Sequence, residues 1–232
     1  EDGRQDIMIA GGADELSAAD SAIFDIMGAA SVLNETPELT PKPWDKNRDG
    51  LVIGEGAGTL ILEDLEHAVK RGARIYAEVS GFGTNMDGTH ITTPNAPTQS
   101  IALRLALEDA EITPDKISYI NAHGTSTHHN DLFETRAIKL AFGDHAKNIK
   151  INSTKSMIGH LLGAAGAIEF VTCVKEIEEG FIHRTVGLQE SDEEMDLDYC
   201  KTSCKEDITY ALSNSLGFGG HNTSILVKKY VK

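Results

Sequence analysis

The sequence predicts an α/β fold in which helices cover a mainly parallel sheet. From Arg74 onward, short apolar runs alternate with longer segments of helical periodicity, and Gly, Pro and Asn residues separate them. Polar residues follow several of the predicted strands, as they do at the carboxyl edge of such sheets. The 232 residues are enough for one large domain or two small ones.

The predicted elements follow from the spacing of apolar residues and from the Gly, Pro and capping residues that bound them. We expect strands at Asp6–Ala10, Thr59–Glu63, Arg74–Gly83, Ile117–Ala122, Ile149–Asn152, Ile208–Ser213 and Thr223–Lys229. We expect helices at Ala19–Ala30, Asp64–Arg71, Thr98–Glu111, Asp131–Phe142 and His160–Gly180.

Two glycine-rich stretches indicate close packing of backbone on backbone. The run at 54–58 precedes a strand, whereas a dinucleotide-binding loop follows a strand and opens a helix. Its glycines are therefore interpreted as points of close approach. Gly163 and Gly166 lie in an apolar run after His160, which predicts a buried helix beginning at His160. The first strand, Asp6–Ala10, is expected to be buried and to end at a glycine turn.

Composition favours a soluble cytoplasmic protein whose main partner is not nucleic acid. The formal net charge is −15, and the longest apolar runs are far shorter than a membrane span. The opening residues are polar and mostly acidic, unlike a signal peptide. The three cysteines, Cys173, Cys200 and Cys204, show neither metal-binding spacing nor the even number of a disulfide set.

The first polar loop begins with His123 at a predicted strand end. Thr125 and Thr127 follow it, and they either cap the next helix or line a channel for a polar substrate arm. Both interpretations stay open. A metal site would have to use residues whose spacing matches no common zinc pattern, namely His123, His128, His129 and Asp131.

Lys155 lies in the second polar loop, and His160 follows it at the start of the apolar run. A helix N-terminus disfavours positive charge on an imidazole, so His160 is expected to be neutral, with one donor and one acceptor nitrogen. A purely structural buried histidine remains the alternative. The third polar loop, at 214–222, holds Phe218 among glycines. Backbone N–H groups such as that of Gly219 are candidates to face an oxyanion, although a simple glycine turn explains the pattern equally well.

Two histidines near strand ends and a glycine-rich donor loop suit acyl or enolate chemistry. We expect the imidazoles of His123 and His160 to border one cavity, within about 10 Å of each other. A nucleophile is missing, because Cys173 is predicted inside a buried helix and acidic neighbours disfavour thiolate at Cys200 and Cys204. Covalent acyl chemistry is therefore not expected of this chain alone.

Four longer blocks resemble the signature sequences of the β-ketoacyl-acyl carrier protein synthases. They are HGTST at 123–127, NSTKSMIGHLLGAAGAIE at 152–169, NSLGFGGHN at 214–222 and PWDKNRDGLVIGEGAG at 43–58. The resemblance covers nearly the whole chain and is to the elongating enzymes of type II fatty acid synthesis. It implies a thiolase-like fold with αβαβα layers. In that fold, residues 1–73 end the first half and residues 74–232 form the complete second half.

The resemblance also implies a reaction. An acyl chain is held on a cysteine, malonyl-carrier protein loses CO2, and the resulting enolate attacks the acyl thioester. His123 and His160 match the histidines that serve decarboxylation and hold the enolate oxygen. Lys155 and Glu169 match an ion pair. We expect that pair to be direct, because the apolar helix cannot hold Glu169 unpaired.

Further residues and partners follow from the same resemblance. Thr125 and Thr127 match residues that bind the pantetheine arm, and Phe218 matches a gate beside the nucleophile. The family cysteine lies upstream of the segment matching Asp6–Ala10 and is absent from this chain. Acyl carrier protein is the implied partner, the full-length enzyme is implied to be a homodimer, and neither cofactor nor metal is implied.

The chain departs from the family pattern at two further positions, and two other functions stay open. Leu216 stands where the family often has phenylalanine in the gating loop, and Ser31 stands where many relatives carry an arginine that meets the carrier protein. One alternative is a non-catalytic subunit that resembles a chain-length factor, although the intact set of His123, Lys155 and His160 argues against it. The other is a synthase for polyketide or aryl polyene chains.

Overall fold

A computed structural model describes residues 3–232. Its strands are β1 Ile7–Asp14, β2 Gly56–Glu63, β3 Glu78–Met86, β4 Tyr119–Asn121, β5 Lys150–Asn152, β6 Phe181–Ile182, β7 Cys204–Lys205, β8 Tyr210–Gly217 and β9 His221–Lys228. Its helices are α1 Ala18–Ile26, α2 Leu65–Lys70, α3 Ala96–Asp109, α4 His128–Phe142, α5 Lys155–Ile158 and α6 Ala165–Glu179. In this described part, no helix has both the length and the apolar character needed to cross a bilayer.

The main sheet has five strands in the order β3-β9-β8-β4-β5. The β8–β4 and β4–β5 pairs are parallel, whereas the β3–β9 and β9–β8 pairs are antiparallel. The prediction of a mainly parallel sheet is therefore only partly right. The reason is the short turn between Gly217 and His221, because a tight hairpin joins antiparallel strands.

Helices cover both faces of this sheet. On one face, Leu103 of α3 and Ile138 of α4 belong to one apolar cluster with Ile120 of β4. On the other face, Phe170 of α6 belongs to a second cluster with Tyr119. Neighbouring residues of β4 thus point into different cores, which explains why this short strand is apolar on both sides.

Helix α6 and the turn before it also pack against a second sheet, formed by β1 and β2. Glycine makes the contact close. A Cβ on Gly12 would lie 2.1 Å from the carbonyl oxygen of Gly163, and one on Gly58 would lie 2.9 Å from Cβ of Ala167. The interpretation of the glycine-rich run at 54–58 as a point of close approach is confirmed, and its last three residues belong to β2. Helix α6 consequently forms a layer between two sheets.

The outer face of the β1–β2 sheet is apolar and exposed. Ile9 and Ile61 are cross-strand partners, and they are 72% and 70% exposed. The prediction of a buried first strand is therefore wrong for this chain. The strand also continues through its glycine pair to Asp14 instead of turning there. An apolar face of this kind favours association with another apolar surface.

The helix predicted to begin at His160 begins at Ala165 instead. Before it lie the short helix α5, Gly159 with a φ of 80°, and a 3-10 turn at Leu162–Ala164. The positive φ of Gly159 ends α5, because a residue with a Cβ adopts that conformation rarely. His160 therefore lies in a link between helical segments, and its main-chain groups are free to bond elsewhere.

Adding one methyl group tests the packing of β1 on the turn before α6. We expect Gly12→Ala to lower the free energy of unfolding by about 1–3 kcal/mol, because its Cβ has no room beside the Gly163 carbonyl. Gly166→Ala is the matched control. Its Cβ would meet Ser215 Oγ at 3.6 Å, and Ala favours a helix over Gly by about 1 kcal/mol. Chemical denaturation compares the two, and equal stability would contradict the packing described.

Candidate active site

A cavity of about 600 Å³ opens beside the carboxyl ends of β4 and β8, next to α1 and the β3–α3 loop. The predicted site residues in its wall are His123, Thr125, Thr127, His160 and Phe218. Lys155 and Glu169 lie behind this wall, where both side chains are buried. The structure therefore brings most of the predicted residues together around one space.

The rings of His123 and His160 meet at the cavity wall. Their centroids are 5.2 Å apart and their planes are inclined by 86°. The expectation that both imidazoles border one cavity within about 10 Å is confirmed. His123 lies just past the end of β4, as predicted. The expected strand-end position of His160 is wrong, since His160 follows helix α5.

The main chain of His160 is held by a segment that precedes β2. The His160 N–H donates to the Val52 carbonyl at 2.7 Å, and the Gly54 N–H donates to the His160 carbonyl at 3.0 Å. Glycines permit this approach: a Cβ on Gly54 would lie 2.6 Å from the carbonyl oxygen of Ile158, and one on Gly159 would lie 2.9 Å from that of Val52. Sequence reasoning assigned Gly54 to packing and missed its part in placing His160.

Both imidazoles are oriented with their proton on Nε2. His123 Nδ1 lies 3.1 Å from Lys155 Nζ, and an ammonium can only donate, so this nitrogen accepts. His160 Nδ1 accepts the Leu162 N–H at 3.1 Å. In each neutral ring, Nε2 is therefore the nitrogen that carries hydrogen and can donate.

Burial and a nearby positive charge keep the two rings neutral. Burial, with the charge of Lys155 adding to it, lowers the pKa of His123 well below 6.5. The same two causes lower the pKa of His160 from 6.5 to about 3. At neutral pH the cavity wall thus presents two uncharged N–H donors. Donors arranged in this way stabilise negative charge that develops on an oxygen.

Lys155 is buried between a carboxylate and an imidazole. Its Nζ lies 2.5 Å from Glu169 Oε1, and both side chains are 2% exposed. The predicted direct ion pair is confirmed. Burial raises the pKa of the Glu169 carboxyl, and the charge of Lys155 opposes that rise. Glu169 comes from α6 and Lys155 from α5, so the pair also joins two helices.

Glu134 organises the loop that carries His123, and the sequence reasoning missed it. Its Oε1 accepts the His123 N–H and its Oε2 accepts the Gly124 N–H, each at 2.8 Å. Asn214 Nδ2 donates to Oε1 at 2.7 Å, which ties the loop to β8. A signal was available, because Glu134 stands four residues before Ile138 on the buried face of the predicted helix.

The hydroxyls of Thr125 and Thr127 lie 2.9 Å apart at the cavity wall. Ser126 between them has a φ of 68°, and its N–H donates to Asp131 Oδ1 at 3.2 Å. Arg48, which is buried, donates from Nε to the Thr127 carbonyl at 3.3 Å. The loop is thus anchored from two sides, and both hydroxyls remain at the wall.

The side chains considered for a metal site do not gather. Asp131 accepts the Trp44 N–H at 3.0 Å as well as the N–H of Ser126, and burial raises its pKa to about 6. His128 and His129 are exposed at the rim of the cavity. Across residues 3–232, no three His, Cys, Asp or Glu side chains are arranged to hold a metal ion.

The glycine-rich loop places Phe218 against helix α1. The Phe218 ring stacks on Phe24 at 5.7 Å with an angle of 29°, and it is about half exposed. The Gly219 N–H donates to the Ile91 carbonyl at 2.9 Å. Because this bond occupies the Gly219 N–H, an oxyanion role for Gly219 requires the loop to move. The histidine Nε2 groups need no such movement.

Two models of known protein families match this chain. The family model described as Beta-ketoacyl synthase, N-terminal domain, matches residues 1–68, and that described as Beta-ketoacyl synthase, C-terminal domain, matches residues 76–189. The chain belongs to the beta-ketoacyl synthase family. The resemblance inferred from the motif blocks is thereby confirmed.

A 3-oxoacyl-[acyl-carrier-protein] synthase 2 of Synechocystis sp. is 48% identical to this synthase chain over 229 residues, which are 96% of the chain and 55% of the relative. The chain thus spans about half the length of the curated relatives it matches. A beta-ketoacyl synthase from Burkholderia phymatum STM815 has a TM-score of 0.96 at 45% identity, covering 99% of this chain and 56% of that one.

A third neighbour is a type II PKS ketosynthase, solved with its acyl-carrier protein and bound to the hexaketide. Its TM-score is 0.95 at 41% identity, with 98% of this chain and 57% of that chain covered. The beta-ketoacyl synthase chain thus has the thiolase-like α/β fold of the ketosynthases. The position of α6 between two sheets agrees with the inner helix layer of that fold.

Among residues 3–232 of the synthase chain, no cysteine lines the cavity. Cys173 lies in the core of α6, and burial raises the pKa of its thiol well above 9.0. Burial also raises the pKa of Cys200 and of Cys204, ahead of the smaller effect of acidic neighbours. Packing, more than nearby acids, therefore keeps these thiols protonated, which corrects the reason expected from the sequence.

Removing Lys155 should destabilise the synthase chain strongly. We expect Lys155→Ala to lower the free energy of unfolding by about 3–5 kcal/mol, because Glu169 would be left buried without a counter-charge. The double variant Lys155→Met/Glu169→Gln should recover much of this loss, since it leaves no buried charge. Lys175→Ala, at an exposed ion pair of α6, is the control and should change little. A Lys155→Ala chain as stable as wild type would refute the assignment.

Acid should reveal the neutral state of His160. Unfolded His160 takes up a proton below about pH 6.5, whereas folded His160 resists protonation until about pH 3. Relative to His160→Asn, wild type should therefore lose stability as pH falls from 6.5 toward 3. The slope has an upper limit of about 1.4 kcal/mol per pH unit, reduced here because the ring borders the cavity. The free energy of unfolding of both proteins is measured by chemical denaturation at several pH values. A difference between them that stays constant from pH 6.5 to 3 would contradict the prediction.

Proposed function

We propose that this chain is the C-terminal part of a 3-oxoacyl-acyl carrier protein synthase that extends acyl chains by decarboxylative condensation. The pair of neutral histidines at one cavity, backed by Lys155, carries the proposal. Residues 1–73 would end the first thiolase-like half and residues 74–232 would form the second half. The places where the two family models match, 1–68 and 76–189, support this division.

Decarboxylation of a malonyl thioester requires stabilisation of negative charge on the thioester oxygen. As the bond to CO2 breaks, its electron pair forms an enolate and charge builds on that oxygen. The Nε2–H groups of His123 and His160 are the donors for it, since both Nδ1 atoms are already occupied. Lys155 contributes positive charge behind His123 and keeps its ring neutral.

Condensation follows when the enolate carbon attacks the carbonyl carbon of an acyl thioester. We place the cysteine that holds this acyl group outside the present chain. Its thiolate leaves as the new carbon–carbon bond forms, and the 3-oxoacyl product stays on the carrier arm. Thr125 and Thr127 would bind the polar arm at the cavity wall. Phe218 would act as the gate, because its half-exposed ring borders the same cavity.

Acyl carrier protein is the proposed partner, and it would present both the acyl and the malonyl groups. Support comes from the Synechocystis relative, which is named for this carrier, and from the ketosynthase solved in complex with one. The full-length enzyme would be a cytoplasmic homodimer that needs no cofactor. Docking would use cations other than the family arginine, since Ser31 occupies that place.

A polyketide or aryl polyene synthase is a second candidate. The identity to the type II PKS ketosynthase, 41%, is close to the 45% shared with the Burkholderia beta-ketoacyl synthase. Mass spectrometry of the products separates the two: fully reduced acyl chains support fatty acid synthesis, and poly-β-keto or conjugated polyene chains support the second candidate. A non-catalytic subunit is disfavoured because His123 contacts both Lys155 and His160, as the proposed reaction needs.

The test is decarboxylation of malonyl-carrier protein by the full-length protein. His160→Ala should slow CO2 release by about 10²- to 10³-fold, the usual effect of removing one oxyanion donor. His67→Ala is the matched control, because His67 is partly exposed, hydrogen-bonds Glu63 and does not line the cavity. Wild-type protein without decarboxylation would overturn the proposed function, and a His160→Ala variant as fast as wild type would remove His160 from it.

A further inference from the structure

One segment behind the active site holds the residues on both sides of Lys155. Val186 N–H donates to Ser156 Oγ at 3.0 Å, and His183 Nε2 lies 3.3 Å from Thr154 Oγ1. Lys155 stands between Thr154 and Ser156 at the start of α5. The segment 183–186 therefore sets where the backbone of Lys155 lies.

The direction of these bonds follows from the ring of His183. His183 Nδ1 lies 2.8 Å from the Arg184 carbonyl, so it must carry a proton. In the neutral ring Nε2 then accepts, and the Thr154 hydroxyl donates to it. Asn121 Nδ2 donates to the same hydroxyl oxygen at 2.7 Å. Asn121 ends β4, so the strand that leads to His123 is joined to the loop that carries Lys155.

Glu176, on the buried face of α6, holds this segment in turn. Its Oε1 accepts the His183 N–H at 2.9 Å and Asn152 Nδ2 at 3.1 Å. Asn152 Nδ2 also donates to the His183 carbonyl at 3.0 Å. Glu176 is 5% exposed, and within residues 3–232 its second oxygen has no hydrogen-bond partner. One carboxylate oxygen thus joins α6, the end of β5 and the segment 183–186.

We propose that Glu176 and His183 are positioning residues that fix the Lys155 ammonium against Nδ1 of His123. The proposal rests on the proposed decarboxylation. Lysine has a long, flexible side chain, so the place of its ammonium depends on a rigid backbone as well as on its ion pair with Glu169. Neither positioning residue lines the cavity. Their effect should therefore appear in the rate of the chemical step and leave substrate affinity unchanged.

The experiment compares Glu176→Ala with Glu176→Gln in the full-length protein, with malonyl-carrier protein as the probe. Glu176→Ala should lower kcat for decarboxylation by about 10- to 100-fold, as expected when a catalytic group is misplaced by about 1 Å, while KM stays unchanged. Glu176→Gln should restore most of kcat, because its amide oxygen can accept the same two bonds. Glu179→Ala, on the exposed side of α6, should match wild type.

Three outcomes would overturn the inference. The first is a folded Glu176→Ala variant with wild-type kcat. The second is an equal loss in Glu176→Gln and Glu176→Ala, and the third is a loss confined to KM. If Glu176→Ala fails to fold, His183→Ala decides, because it keeps the main-chain bond to Glu176 and removes only the ring that accepts from Thr154. Unchanged kcat in that variant counts against the inference. Inactive wild type would instead defeat the proposed function.

Discussion

A single buried ammonium determines the geometry of the site. Lys155 Nζ lies 2.5 Å from Glu169 Oε1 and 3.1 Å from His123 Nδ1, so it balances one charge and orients one ring at the same time. An ion is tolerated in a protein interior only while its partner and hydrogen bonds are kept. Helix α5, helix α6 and the loop after β4 must therefore hold fixed distances from one another. The packing around these three segments keeps those distances fixed.

Glycine residues allow His160 to lie beside His123. His160 is held by Val52 and Gly54 through main-chain bonds, and those bonds require two backbones to approach more closely than a Cβ would allow. The same kind of contact seats β1 and β2 on α6 and on the turn before it. The glycines in these contacts lie in strands, in links and in a 3-10 turn, so the close approach costs no α-helix propensity, and it joins segments that are distant in sequence.

The sequence was most informative about site residues that lie in short, continuous motifs. The resemblance of the motif blocks pointed to His123, Lys155 and His160 and implied the pairing of Lys155 with Glu169. The cost of burying either charge alone then predicted the direct contact that the structure shows. The sequence did not indicate which residues hold the site loops from a distance. Glu134 and Glu176 cannot be distinguished from exposed acidic residues of a helix until their burial is known. The start of α6 was misplaced because an apolar run of Leu, Ala and Gly fits a 3-10 turn as well as a helix. The antiparallel pairing of β8 with β9 depends on a three-residue hairpin loop, and the sequence left open whether its glycines form a simple turn or face an oxyanion.

The contacts of His123 explain why its ring serves as a donor. In serine hydrolases a carboxylate accepts from Nδ1–H, which leaves Nε2 as a base. Here the groups are exchanged: an ammonium donates to Nδ1, which leaves the proton on Nε2. The nearby carboxylate of Glu134 is directed to the main-chain N–H of His123, so its charge orients the loop without contacting the ring. Exchanging these two contacts would turn the imidazole into a base, so in the proposed reaction the placement of one lysine and one glutamate favours oxyanion stabilisation over proton abstraction.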